Sequence, residues 1–424
     1  MNQNNDFSPN NLYRHSGVGI YSNSDNKISI TSAYGTTAML LQDGSVIVWG
    51  GRRVPPEIAQ LRDIVSLHST KHAFAALRAD RSVVAWMGDN WDDRDYGGKV
   101  PSEIAKLQDI VSLSTTDSAF AALRANGSVV AWGDMGRGGS DIQYNLQDIV
   151  SLSATDSAFA ALRANGSVVA WGYKYYGGEV PSEIAKLKDI ISLSSIGSTF
   201  IARRANLRIV TWGGGLSIPP EIARWQDIVS LCKTNDACAA LRADRSVVAW
   251  GDRDNGGEVP PEIATLRDIV SLVRIPNTFV ALRADRSVVS WGNISIPPEI
   301  AALKDIVSLY STGSTIIARQ ADRSIVSWGD ISVPPEIAKL KDIVSLSAAS
   351  YRGFAALRAN GSVVSWGPRN SSFQVPPGIA RLQDIISLSA SGNSFAVLRA
   401  NGQRLAWDLL DDKGSNIVHS EYDD

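Results

Sequence analysis

The chain has 424 residues, and its 41 Lys and Arg against 43 Asp and Glu give a formal net charge of −2 at pH 7. A charge this close to zero argues against a nucleic-acid or anionic-membrane binder that works through bulk electrostatics. No run approaches eighteen apolar residues, so no membrane-spanning helix is predicted, and only four His and two Cys are available for metal or triad chemistry.

The first 25 residues form a polar segment. They lack the basic and apolar regions of a secretory signal, so we expect a cytoplasmic protein or one exported without a classical signal peptide. Residues 18–21 (VGIY) are one candidate for a strand that closes the following domain.

A unit of about forty residues then repeats ten times between residues 26 and 407. Its clearest copy runs DIVSLSATDSAFAALRANGSVVAWG from Asp148 to Gly172. Each copy ends its third apolar run on a tryptophan: Trp49, Trp86, Trp132, Trp171, Trp212, Trp250, Trp291, Trp328, Trp366 and Trp407. We predict one repeat domain over 26–407 and an acidic tail over 408–424, in which 416–418 (NIV) is the other candidate closing strand.

Within a copy, DIVSLS, AFAALR and SVVAWG are short and rich in β-branched and aromatic residues, and an Asn-Gly step between the last two is typical of a tight hairpin. The connector to the next copy reads V-P-P-E-I-A. Because paired prolines cannot donate to a central ladder, we predict a fourth, edge strand there. The pattern predicts an all-β protein, a β-propeller of about forty-residue, four-stranded blades. The ten repeats would form a ten-bladed ring, or a seven-bladed ring with extra blades.

Charges recur at a fixed spacing within the repeat. Asp109 and Arg124 are fifteen residues apart, as are the corresponding residues of six other copies. A turn over 115–118 places them opposite each other as cross-strand partners, worth roughly 0.2–1 kcal/mol each. The same register predicts one face with Val111, Leu113, Phe120 and Ala122, and another with Ile110, Ser112, Ala119, Ala121 and Leu123.

The hairpin glycine is replaced in five copies, by Arg81, Arg245, Arg286 and Arg323 and by Leu207. A left-handed conformation costs a non-glycine residue about 1–2 kcal/mol. Either the turn changes type in these copies, or the rest of the blade absorbs the strain.

Few residues of the sequence suggest a catalytic, metal-binding or ligand-binding role. The tryptophans could be carbohydrate platforms, but we favour packing between blades. His68 and His72 have no third ligand, and the acidic loop 89–95 fits no EF-hand spacing. Cys232 and Cys238 fall on opposite faces of one hairpin, which predicts two buried thiols and no disulfide. We therefore predict no catalytic residues, no metal and no cofactor.

The order V-P…L-x-D-I-V-S-L-S-A…F-A-A-L-R-A-N-G-S-V-V-A-W-G resembles the repeats of the regulator of chromosome condensation superfamily. The short period and the Val-Pro connector look closest to its bacterial branch, typified by a propeller-shaped β-lactamase inhibitory protein. That resemblance implies a non-enzymatic propeller that binds a protein as an inhibitor or adaptor. The eukaryotic branch implies, as an alternative, a guanine-nucleotide exchange factor for a small GTPase, and a glycan-binding propeller is a second alternative.

The irregular connectors are where a repetitive scaffold presents its differences. The connectors after copies two, three and four are the most divergent and could form one patch that binds a partner protein. Its candidate residues are Trp91, Asp92, Asp93, Tyr96, Arg137, Tyr144, Tyr173, Tyr175 and Tyr176. Such residue types carry much of the energy of protein interfaces; the other interpretation is that these loops are merely variable and solvated. We expect a monomer with a protein partner of unknown identity, no nucleic acid and no membrane.

Overall fold

The computed structural model describes residues 28–88, 96–139, 146–214, 218–349, 353–368, 374–408 and 418–420. They form ten antiparallel sheets, one for each repeat, which we number as blades one to ten. The predicted all-β repeat fold is confirmed. Two compact units are present: one comprises Asn206–Ile209 and Ile218–Ile343 and holds blades six to eight, and the other holds the remaining blades.

The strands of the first five blades are β1 (Ile30–Ala33), β2 (Thr36–Leu40) and β3 (Val46–Trp49); β4 (Ile64–Ser69), β5 (Ala73–Arg78) and β6 (Val83–Met87); β7 (Ile110–Thr115), β8 (Ala119–Arg124) and β9 (Val129–Gly133); β10 (Ile149–Ala154), β11 (Ala158–Arg163) and β12 (Val168–Gly172); and β13 (Ile190–Ile196), β14 (Thr199–Arg204) and β15 (Ile209–Gly213). Those of the last five are β16 (Ile228–Lys233), β17 (Ala237–Arg242) and β18 (Val247–Gly251); β19 (Ile269–Ile275), β20 (Thr278–Arg283) and β21 (Val288–Gly292); β22 (Ile306–Thr312), β23 (Thr315–Gln320) and β24 (Ile325–Gly329); β25 (Ile343–Ala349), β26 (Gly353–Arg358) and β27 (Val363–Trp366); and β28 (Ile385–Ser391), β29 (Ser394–Arg399) and β30 (Arg404–Asp408).

The prediction of four strands in each blade is wrong for the described residues of blades one to nine, which have three. The V-P-P-E-I-A connector forms a single helical turn instead of a strand. Its first proline caps the turn at φ near −55°, and the second occupies the first helical position, where a missing N–H costs nothing. The turns are α1 (Pro56–Ala59), α2 (Ser102–Ala105), α3 (Ser182–Ala185), α4 (Pro220–Ala223), α5 (Pro261–Ala264), α6 (Pro298–Ala301), α7 (Pro335–Ala338) and α8 (Pro377–Ala380). Each buries its isoleucine, as α1 buries Ile58.

Blade ten does contain a fourth strand, and the C-terminal tail supplies it. β31 (Val418–Ser420) runs antiparallel to the outer edge of β30, with Trp407 opposite Val418 and Leu405 opposite Ser420. Of the C-terminal candidate 416–418, the described strand contains Val418, and this strand fastens the last blade. Residues 416–417 and the other candidate, 18–21, lie outside the described residues.

The predicted strand register is wrong by two residues. Leu113 lies opposite Ala122 and Thr115 opposite Phe120, because the hairpin closes over only two residues with Thr116 N–H bonded to Ala119 O. A β-bulge between Ile110 and Ser112 then turns Ile110 into the core and leaves Val111 exposed, the reverse of the predicted faces. Leu113, Phe120 and Ala122 share one face, as predicted.

The core lies between blades rather than within them. Phe120 and Ala122 of blade three pack against Ala73 and Ala75 of blade two, while Ala119 and Ala121 face blade four. The repeated tryptophan stacks on the phenylalanine of the middle strand, with ring centroids 5.2 Å apart for Phe120 and Trp132. Trp132 is 1% exposed, so packing is the role of the repeated tryptophan here.

A backbone hydrogen bond also joins consecutive blades. The carbonyl of the left-handed hairpin residue accepts from the first N–H of the next blade, as Gly127 O does from Ile149 at 2.9 Å and Arg81 O does from Ile110 at 3.1 Å. The arginine copies keep the left-handed turn, with φ of 63° at Arg81. The turn therefore does not change type, and the blade absorbs the strain.

The Asp–Arg pairs are ion pairs in six of the seven predicted copies, with distances of 2.7–3.0 Å. In blade eight, Gln320 replaces the arginine and donates to Asp305 at 3.0 Å. Blade four differs, because Asp148 has a φ of 61° and Arg163 donates to the carbonyl of Gln147.

The last and first blades also pack together within their unit. Ala396, Leu398 and Ala406 of blade ten contact a cluster that contains Ile30 and Met39 of blade one. Trp49 Nε1 donates to Asp408 at 2.6 Å. The number of blades in a closed ring, and the single domain over 26–407, stay predictions.

The hairpin glycines should differ in their tolerance of a side chain. A Cβ at Gly166 would lie 2.5 Å from Lys188 O, whereas at Gly127 the nearest atom would be 3.3 Å away. We expect Gly127→Ala to cost about 1–2 kcal/mol from the left-handed backbone alone, and Gly166→Ala clearly more. Urea unfolding measures both, and equal losses would contradict the steric argument.

Removal of residues 418–424 should lower the melting temperature, because it strips the fourth strand from β30. Deletion of 421–424 alone keeps β31 and serves as the control. Hydrogen exchange over 404–408 should accelerate only in the longer deletion; unchanged exchange there would show that the pairing contributes nothing.

Candidate functional site

One edge of the blades brings two variable segments together: the turn between the first and second strands, and the connector that follows the third strand. In blade four, Tyr173 N–H donates to Ser157 O at 2.8 Å, and Thr155 Oγ1 donates to Tyr176 O at 2.8 Å. The same threonine accepts from Ala158 N–H at 3.1 Å. A threonine at the start of the turn therefore ties each connector of this kind to its own blade.

Backbone hydrogen bonds make this edge continuous across blades one to four. Tyr34 N–H donates to Lys71 O, Lys71 N–H to Asp117 O, and Asp117 N–H to Asp156 O, at 2.6–2.9 Å. All these residues belong to one compact unit. The turns of four successive blades are thus fixed relative to one another.

A buried carboxylate lies at the centre of the edge. Asp117 accepts from Lys71 Nζ at 2.7 Å and from Arg137 at 3.3 Å, and its side chain is 6% exposed. Burial opposes the charge of Lys71, but the hydrogen bond and the charge of Asp117 outweigh it and raise the pKa of Lys71. Arg137 also donates to Ser157 at 3.1 Å, so its guanidinium bridges blades three and four.

An aromatic stack lies at the blade-one end. His72 stacks on Tyr96 with ring centroids 4.2 Å apart, and Tyr34 contacts His72 edge-on at 5.0 Å. Tyr34 is 54% exposed, but Tyr96 is buried. The sequence predicted Tyr96 as a residue that contacts a partner protein. In the structure Tyr96 is buried and its ring stacks on that of His72.

Three tyrosines form a second group at the blade-four end. Tyr173 lies 5.7 Å from Tyr175 and 5.6 Å from Tyr176, measured between ring centroids. Tyr175 is 75% exposed and Tyr173 47% exposed, whereas Tyr176 packs into the core between blades four and five. Met135, in the third connector, is 75% exposed.

We call the surface formed by Tyr34, Met135, Arg137, Tyr173 and Tyr175 the aromatic edge. The sequence predicted Arg137, Tyr173 and Tyr175 as members and missed Tyr34 and Met135. Tyr34 lies in a first-strand turn rather than in a connector, and Met135 is an apolar residue that sequence alone does not distinguish from core. The predicted residues Trp91, Asp92, Asp93 and Tyr144 lie outside the described residues.

The described residues offer little for catalysis. No three of their His, Cys, Asp or Glu side chains are grouped so that they could hold a metal ion. Cys232 and Cys238 lie on opposite faces of their hairpin, as predicted, and both are free, but they are half-buried rather than fully buried. Burial raises the pKa of Cys232 to about 12 and that of Cys238 to about 11, which disfavours the reactive thiolates.

Comparisons with known proteins found structural similarity only at low sequence identity. No family model matches the chain, and no curated protein matches it. Among solved structures, the CRINKLY WD40 ectodomain of the Arabidopsis thaliana receptor kinase ACR4 is 18% identical, with 61% of this chain and 94% of that chain covered and a TM-score of 0.36. The ectodomain of the Physcomitrella patens receptor kinase CR4 is 20% identical, with 70% and 82% covered and a TM-score of 0.37. Yeast RCC1 (Prp20), in a structure with Kap60, is 19% identical, with 73% and 71% covered and a TM-score of 0.29.

The resemblance to the bacterial inhibitor branch stays a prediction. Within the described ranges, no helix is long and apolar enough to cross a bilayer.

His68 should make stability depend on pH. The ring lies in β4 with Nδ1 sealed from solvent, and burial lowers its pKa from 6.5 to about 4. Because the folded state resists protonation, the free energy of unfolding should fall as the pH drops from 6.5 towards 4, on the order of 2 kcal/mol by pH 4.5. His68→Ser, which introduces the residue that blades three and four have at this position, should remove that part of the decrease. Urea unfolding of both proteins at pH 7 and 4.5 measures the difference, and an identical decrease in both would contradict the role of His68.

Proposed function

We propose that this protein is a non-enzymatic binding protein, an inhibitor or adaptor, that holds a partner protein on the aromatic edge. The observation that carries the proposal is the exposure of Tyr34, Met135, Tyr173 and Tyr175 on turns that backbone hydrogen bonds fix in place. Tyrosine, methionine and arginine are enriched in protein interfaces, and tyrosine brings a large contact area at little entropic cost.

The fourth connector supports the proposal because Tyr173 and Tyr175 are exposed and are not part of the core, unlike Tyr176. In the third and sixth connectors an aspartate begins the same turn; Asp134 accepts from Gly136 N–H at 2.8 Å and Asp252 from Asn255 N–H at 3.0 Å. Tyr173 stands at that position and makes no such cap. A capping side chain is worth up to about 1 kcal/mol, so Tyr173 gives up stability and exposes an aromatic ring.

The fixed position of Arg137 in the aromatic edge supports binding rather than catalysis. Arg137 is held by Asp117 and Ser157 but keeps 40% of its side chain exposed. An arginine fixed in this way can pair with a partner's carboxylate with little loss of conformational freedom. We infer that the partner offers an apolar surface with an acidic group near its centre.

Replacement of Tyr173 and Tyr175 by aspartate tests the proposal. The double variant takes the residues of the sixth connector, whose ion pair Arg253–Glu258 matches Lys174–Glu179, so the loop should fold as before. We expect the melting temperature to stay level or rise, and partner recovery in a quantitative pull-down to fall about tenfold or more. Arg253→Ala, in the other compact unit, is the control and should retain the partners.

The alternatives are tested with the same proteins. Nucleotide exchange on a panel of small GTPases, a glycan array and inhibition of a β-lactamase are measured for the parent chain and the double variant. Recovery of the same partners by both proteins would overturn the proposal. An exchange or glycan signal that survives the aspartate substitutions would assign the function to another surface.

A further inference from the structure

A groove of about 830 Å³ lies along the outer edge of β6 in blade two. Its floor is the third strand itself, Val83–Met87, and its walls are the first connector, with Arg52–Ile58, and residues 98–100 of the second. On its other side β6 pairs with β5, and no described strand pairs with the edge that faces the groove. Among the described residues, the strand edge in the groove is therefore unpaired, and such an edge is a template for backbone pairing.

Blade ten shows what such an edge binds in this protein. There β31 pairs with Leu405, Ala406 and Trp407 of the third strand. By their place in the repeat, those residues correspond to Val84, Ala85 and Trp86 of β6, and all three line the groove. No described strand thus fills in blade two the place that the fourth strand takes in blade ten.

The charged residues of the groove indicate which kind of peptide would bind there. Arg52, Arg53 and Lys99 are exposed along it, and Glu57 is the one carboxylate among its lining residues. None of the three cations has an ion-pair partner in the described part of the chain. The remaining lining is apolar, from Val54, Val84, Val100 and Met87, which suits β-branched side chains on every second residue of a strand.

We propose that the outer edge of β6 binds an extended acidic peptide of a partner protein as the fourth strand of blade two. The peptide runs antiparallel to β6, and its backbone pairs with the open edge, the mode known as β-augmentation. Its apolar side chains face the valines, and its carboxylates face Arg52, Arg53 and Lys99. Five residues of strand span about 17 Å, so a segment of five to seven residues fills the edge.

The groove is separate from the aromatic edge in its residues but begins beside it. Arg52 N–H donates to Gly88 O at 3.1 Å, and Gly88 N–H donates to His72 O at 2.7 Å. One partner can therefore occupy both surfaces, although the groove needs no tyrosine of the aromatic edge to bind its peptide.

The experiment uses the full chain and a fluorescein-labelled, N-acetylated peptide of sequence Glu-Val-Glu-Val-Glu-Val-Glu, with binding followed by fluorescence polarisation. Two peptides serve as controls: Lys-Val-Lys-Val-Lys-Val-Lys, and the acidic peptide with alternate backbone nitrogens methylated. We expect binding of the acidic peptide alone, because the first control has the wrong charge and the second cannot complete the ladder. Hydrogen exchange over residues 83–87 should slow when the acidic peptide binds.

Protein variants locate the site. Arg52→Glu with Arg53→Glu should weaken the acidic peptide about tenfold or more, whereas Arg253→Glu should leave its affinity unchanged. The double variant Tyr173→Asp, Tyr175→Asp should also bind it normally, so a failure of this proposal is distinguishable from a failure of the proposed function. Equal binding of the methylated peptide, unchanged exchange at 83–87, or no binding of the acidic peptide would overturn the proposal. Tighter binding of a mixed-sequence oligonucleotide would overturn it as well and indicate a polyanion site instead.

Discussion

Each blade of this protein has apolar residues on both faces, and that constraint governs the rest of the structure. In blade three, Phe120 and Trp132 pack against blade two, and the small side chains of Ala119 and Ala121 let blade four approach closely. A three-stranded sheet of this kind cannot bury its own surface, so stability comes from the contact between consecutive blades. The carbonyl of the left-handed hairpin residue adds a directional bond at eight of the nine junctions between consecutive blades, which explains why Arg81 keeps the strained φ of the glycine that it replaces.

The inter-blade core uses the strands and the apolar residues of each connector, such as Val54, Ile58 and Leu61 in the first. The exposed connector residues are free to vary. The third, fourth and sixth connectors share one geometry, with a left-handed glycine at 138, 177 and 256, but expose different side chains. Tyr173 and Asp252 occupy the same place on this framework. Because the framework accepts either residue, we propose that the difference between them bears on recognition, and we place the proposed function on this edge.

Several features were predictable because they depend on local chemistry repeated many times. The hairpins, the buried tryptophans and the Asp109–Arg124 pair follow from turn residues, from apolar alternation and from a fixed spacing. The connector was mispredicted because the same prolines that exclude a central strand also favour the first turn of a helix, and the burial of Ile58 decides between them. The bulge at Val111 was missed because a one-residue insertion in a ladder leaves no mark in an apolar run. At the candidate site, Tyr173, Tyr175 and Arg137 could be predicted as residues of the irregular connectors, but Tyr34 could not, since its proximity depends on the packing of blade one against blade two.

The sequence by itself determined that ten like units follow one another, that each is an antiparallel sheet, and that its tryptophan and alanine positions are apolar, because period and alternation are local properties of the chain. The tertiary structure alone decided which residues meet. Lys71 and Arg137 converge on Asp117, and the buried Tyr96 stacks on His72. No described strand pairs with the outer edge of β6, whereas β31 pairs with that of β30. These outcomes depend on how closely neighbouring blades pack and on which distant segment of the chain pairs with a blade. Neither is encoded within a single repeat.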